Sequence, residues 1–171
     1  MSDLWLIAIS ALIGVGSATQ FAMLATMSSH RSAIDSAWIS ILGTVAAAAT
    51  LLMVRASRGD ATLPSPFDRA AVFGVIAVVG GISTLLAARG LDTYFLAMGL
   101  FGLAVISGAA FIGPRIGVAL FLAVMIAGQM GTSVLLDHIG AFGLEQQRIT
   151  ITRVAGIVAL VAGVALVRNV D

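Results

Sequence analysis

Six apolar stretches fill most of this chain, and no Lys, Arg, Asp or Glu interrupts their cores. From the flanking charges and glycines they run Leu4–Met27, Ser36–Val54, Ala70–Ala88, Thr93–Ile112, Val118–Leu136 and Val154–Val167. A helix rises about 1.5 Å per residue, so about 20 apolar residues cross a hydrocarbon core about 30 Å thick. The first five stretches meet that requirement; the last does so only if Ile149–Thr152 extends it. Lipid offers no water to satisfy stray backbone groups, which leaves helices or a closed barrel. The runs lack the period-two alternation of barrel strands. The expectation is an all-α, polytopic membrane helix bundle of about six transmembrane helices. It forms one integral membrane domain over residues 1–171, with residues 55–69 as its longest polar loop.

Composition points the same way. Hydrophobic residues make up 60% and charged residues 10%, against about a quarter charged in a soluble domain. With no Cys, disulfides and thiolate metal sites are excluded. A net charge of +1 gives no reason to expect a nucleic-acid partner. No HExxH or GxSxG motif occurs, and no Ser/His/Asp arrangement lies within a span, so nothing indicates an enzyme, a cofactor or a metal. The first stretch has no basic residue before it and is longer than a signal-peptide core, so it reads as a retained span.

Every basic side chain is Arg. If all six stretches cross, Arg55, Arg58, Arg69, Arg115 and Arg168 fall on one side, and Arg31, Arg89, Arg148 and Arg153 on the other. Five against four is almost no orienting bias. Were Ala70–Ala88 not to cross, the split would be six against three, an ordinary bias. The charge-free length of that stretch favours crossing. The near-balance then suggests insertion in both orientations and an antiparallel dimer.

Local signals mark the connections. Pro64 and Pro66 oppose helix within Arg55–Arg69. Arg89–Asp92 reads as a tight turn with Gly90 at the helix end, Gly113–Arg115 as a second turn, and Ala141–Arg148 as an interfacial loop. Asp35 reads as the N-cap of the second helix. Small residues recur every fourth position at Ser10, Gly14, Ala18, Ala22 and Thr26; at Ala119, Ala123, Ala127 and Gly131; and at Ala155, Ala159 and Gly163. Such stripes let helix backbones approach closely in lipid, within the chain or between copies. Met23, Met27, Met98, Met125 and Met130 read as packing residues.

Polar residues inside the spans are the candidates for function. Gln20 shares a face with Ser17 in the first span, and Gln129 with Thr132 and Ser133 in the fifth. An unpaired amide in hydrocarbon is costly, so both glutamines are expected to face protein or water. They either bond neighbouring helices or edge a polar solute pocket at the midplane, where transporters commonly bind. Trp5, Trp38, Tyr94 and Phe95 lie near span ends, where aromatic rings anchor at headgroups. Trp38 also joins the candidate solute-binding residues. Asp137 and His138 end the fifth span, as a solvated helix end or as a proton relay.

The block from Val118 to Arg168 combines a central Ala127-Gly128-Gln129, a hydroxyl patch, and Leu135-Leu136-Asp137-His138-Ile139-Gly140-Ala141-Phe142-Gly143. A short polar loop and a glycine-spaced last helix follow. This pattern resembles the short YdcZ-like branch of the drug/metabolite transporter superfamily, as does the upstream stretch Thr93–Phe121. Leu4–Val54 resembles that branch more loosely, including the GVGSATQ run that ends at Gln20. The usual form of the branch has five helices, and Ala70–Ala88 stands here as an additional one. The resemblance implies a multi-pass inner-membrane transporter of small organic metabolites or drugs, working as a homodimer or beside a homologous partner subunit. A carboxylate in the middle of the first helix, used by related small multidrug exporters, has no counterpart between Asp3 and Asp35. The competing expectation is a non-transporting subunit or scaffold of a larger complex.

Overall fold

The computed structural model describes residues 3–60 and 62–168. Its helices are α1 (Leu4–His30), α2 (Ala33–Ser57), α3 (Ala70–Ala87), α4 (Met98–Ile116), α5 (Val118–Ile139) and α6 (Ile151–Arg168). Short 3-10 helices occupy Thr93–Ala97 and Ala141–Gly143, and no strand occurs among the described residues. All six helices, α4 together with Thr93–Ala97, are long and apolar enough to cross a membrane. The charge-free runs predicted this.

Two helix ends differ from the sequence reading. The N-cap of α2 is Ser32, not Asp35: the Ser32 hydroxyl oxygen accepts the Asp35 N–H at 3.1 Å. Asp35 sits in the first turn instead, where a carboxylate complements the positive helix end. The turn expected at Gly113–Arg115 is helical, with Pro114 inside α4. Pro114 forfeits one backbone donor near the helix end, a modest loss. The chain reverses at Gly117, whose φ of +85° suits glycine. Arg115 folds back, donating to the Phe111 carbonyl with its guanidinium 3.6 Å from the Phe111 ring centroid. A cation is thereby held at the helix C-terminus.

The chain forms two compact units, one of Met1–Thr26 with Ala104–Asp171, the other of Met27–Leu103. The divisions fall within α1 and α4.

In the Met27–Leu103 unit, α2 and α3 pack together. A β-carbon on Gly74 would lie 3.3 Å from the Met53 sulfur, and one on Gly80 3.3 Å from the Ala46 β-carbon. One on Gly43 would lie 3.8 Å from the Thr84 methyl. Partners that rise in number on α2 fall on α3, so the helices are antiparallel over about 15 Å. The Thr84 hydroxyl donates to the Gly80 carbonyl at 2.8 Å, leaving that contact without a stray donor. Arg31 donates to the Arg89 carbonyl at 2.8 Å, joining the turn before α2 to the turn after α3. α3 therefore runs alongside α2 and shares its depth where the two are paired. Ile39, Ala49, Phe73, Phe95 and Met98 are buried in this unit. Phe95 is thus a core residue, not the headgroup anchor expected from its place near a span end.

In the other unit, the predicted α1 stripe is buried throughout: Ser10, Gly14, Ala18, Ala22 and Thr26. A β-carbon on Gly14 would collide with the Met125 carbonyl, and one on Gly128 with the Ala11 carbonyl. The backbones of α1 and α5 therefore touch. Leu6, Ile13, Ile112, Phe121 and Met125 form the core, with Val105 and Ile116 against it. The expected α5 stripe is displaced. Ala119 is exposed and a β-carbon on Gly131 would meet nothing within 4 Å. Large side chains, Phe121 and Met125, hold the packed face, and only Gly128 is needed where backbones meet. Met130 is exposed, unlike the other four methionines read as packing residues. α6 packs on α5 but buries no residue, so its stripe at Ala155 and Ala159 is uncovered.

Candidate solute site at the end of the fifth helix

α5 ends at Gly140 in the left-handed conformation, and Gly143 also has positive φ. Phe142 between them, φ 58°, is the only non-glycine residue of that kind among the described residues. These angles turn the chain back on itself. The Gln147 N–H reaches the Asp137 carbonyl at 2.8 Å, and the Gln146 side-chain amide donates to the His138 carbonyl at 2.7 Å. Carbonyls that a helix end would leave unpaired are satisfied by the returning loop.

The loop borders an open-sided cavity of about 360 Å³. One wall is Ala18, Phe21, Ala22 and Ala25 of α1; another is Ser133, Leu136 and Asp137 of α5; the third is Leu144, Glu145 and Gln147. That volume lies within the range of small-molecule sites, about 300–1,000 Å³, and the mixture of apolar surface with a few polar groups is typical of them. A second groove of about 330 Å³ lies between α5 and α6, lined on the α5 side by Met130, Ser133, Val134 and Asp137. Arg153, Gly156, Ile157 and Leu160 line it on the α6 side. Ser133 and Asp137, one helical turn apart, border both spaces.

Arg153 Nη1 donates to Asp137 Oδ2 at 3.2 Å, the one ion pair among the described residues. Its other terminal nitrogen donates to the Gln147 side-chain oxygen. The paired side chains are 32% and 36% exposed, so the pair contributes at most about 1 kcal/mol. Among the described residues, no group of three or more His, Cys, Asp or Glu is arranged to hold a metal ion.

The sequence candidates separate here. Ser133 and Asp137 border the cavity. Ser17 is buried in α1, while Gln20, Gln129 and Thr132 are half-buried, and none of the four lines this cavity. The Nδ1 atom of His138 is buried without a hydrogen-bond partner among the described residues, and His138 is not in the cavity wall. Trp38 is exposed and stands on α2, in the other unit. Phe21, Glu145, Gln147 and Arg153 were missed. The polar run Glu145–Arg148 was a usable signal for the loop. Arg153 was counted as a loop charge, whereas α6 begins at Ile151 and carries it in its first turn.

Six helices long and apolar enough to span a bilayer define a multi-pass membrane protein, with a polar-edged cavity at the end of α5. The sequence pattern of the family described as "Putative inner membrane exporter, YdcZ" matches residues 5–166, α3 included. The chain belongs to that family, within the drug/metabolite transporter group, and is a multi-pass protein of the bacterial inner membrane. No curated protein and no solved structure shows significant similarity to it.

Proposed function

We propose that the protein exports small organic solutes, metabolites or drugs, by secondary transport, and that they bind in the cavity bordered by Ser133 and Asp137. The observation that carries this reading is the cavity itself: drug-sized, apolar on the α1 side and polar on the loop side. Membership of an exporter family supports it. A solute held there should stabilise the folded protein, because binding to the native state alone raises the melting temperature. The test is a thermal-shift screen of a metabolite library in detergent, followed by flux of each stabilising compound across proteoliposomes. No stabilisation and no flux from any compound contradicts the reading.

The working form is a dimer, with two copies inserted in opposite orientations. The antiparallel pairing of α3 with α2 supports the six-span arginine tally of five against four. Reporters fused to the C-terminus should then be active on both sides of the membrane, and signal from one side alone contradicts it. The uncovered face of α6 also favours a second reading, a non-transporting subunit that assembles with another membrane protein. That subunit should ignore every solute and copurify with an unrelated partner. If export is proton-coupled, Asp137 or His138 carries the proton. Asp137→Asn with unchanged pH-dependent flux removes Asp137 from that role.

A further inference from the structure

We propose that this cavity selects monovalent organic cations with an apolar body, which take Asp137 over from Arg153. The proposal rests on the export reading above and names what the same cavity accepts. Two carboxylates, Asp137 and Glu145, border the space, and no basic residue does. Arg153 lines the α5–α6 groove and not the cavity, and from there it pairs with Asp137, which borders both. Two negative charges against one positive leave a single negative charge in the cluster. One cationic group on a ligand neutralises it, and an anion adds to it. Partly out of water, that preference is stronger than it would be in bulk solvent.

Arg153 can give up Asp137 without losing every partner. It also donates to the Gln147 side-chain oxygen, a neutral acceptor in the loop. The pair it leaves is one-third exposed and weak. A competing cation therefore has only a weak pair to displace at a residue that borders the cavity. The other wall sets the shape of the ligand. Ala18 and Ala22 leave room for an apolar body, and Phe21 offers an aromatic ring to a positive group. A metal ion is a poor fit, because apolar walls cannot replace its hydration shell and no three-donor group is present among the described residues.

The test uses the intact chain in lipid nanodiscs and three probes of similar size: benzyltrimethylammonium, its neutral carbon isostere neopentylbenzene, and phenylacetate. Titration calorimetry should rank the cation about tenfold or more above the isostere and find no binding of phenylacetate. Asp137→Asn should abolish the cation's advantage and leave the isostere within about twofold. Arg153→Gln should tighten the cation roughly three- to tenfold, a gain that a misfolded variant cannot produce. Equal affinity for cation and isostere overturns the cation assignment, and a cation preference that survives Asp137→Asn overturns the exchange at Asp137; either leaves the cavity reading standing. No binding of any probe, together with no stabilising compound in the solute library, overturns both.

Discussion

α3 and α6 are both 18-residue, nearly charge-free helices, yet the fold uses them in opposite ways. α3 buries Phe73, Gly80 and Thr84 and follows α2 along much of its length. α6 buries nothing and is tied at its first turn by a weak ion pair. Hydrophobicity explains why both enter the membrane but not which becomes scaffold. That is decided by whether small residues on one helix come into close contact with another, as Gly74 and Gly80 of α3 do and Gly163 of α6 does not. Few buried contacts mark the regions of a fold that open most easily, so movement should concentrate at α6 and the cavity beside it.

Substitutions at glycines test this contrast, and the largest effect is expected where α4 begins. A β-carbon on Gly99 would collide with the Gly43 carbonyl carbon and oxygen. Gly99→Leu should destabilise by about 3 kcal/mol or more, read as a large loss of melting temperature in detergent. Gly80→Leu in α3 meets Ala46 at 3.3 Å, tight but with side chain foremost, and should cost about 1–3 kcal/mol in the same assay. If Gly80→Leu melts like the parent, the α2–α3 pair is looser than described, and if Gly99→Leu does, so is the contact of α4 with α2.

Asp137→Asn removes the tie on α6. Because the pair is about one-third exposed, the expected loss is no more than about 1 kcal/mol. A larger loss would make that ion pair a main support of the unit. Gly163→Leu in α6 adds a side chain where nothing lies within 4 Å and should change stability by less than about 0.5 kcal/mol. A cost that appears only where the protein self-associates would place a second copy on that face.

The legible parts of the sequence were those written in local pattern. Charge-free runs gave six helices because every charge in lipid is costly, and the α1 stripe gave its packed face because Ser10 to Thr26 all meet protein. The α5 stripe misled, since Phe121 and Met125 pack as well as small residues do and only Gly128 touches backbone. Pro114 looked like a turn, but a proline so near a helix end removes only one bond, and Gly117 makes the reversal. The cavity was half visible. Ser133 and Asp137 carry it, but Glu145 and Gln147 arrive through a loop that reverses at Gly140 and bonds back to Asp137. Nothing in the spacing of Gln20 and Gln129 showed that this returning loop, not the midplane amides, would edge the space.

The chain has no Cys, so a single introduced thiol reports one position without background. In nanodiscs, a water-soluble maleimide should label the Ser133→Cys variant, and benzyltrimethylammonium should slow that labelling while leaving the Trp38→Cys variant unaffected. Protection at Trp38→Cys instead, or labelling of Ser133→Cys that no cation or stabilising solute slows, would contradict a solute site at the end of α5.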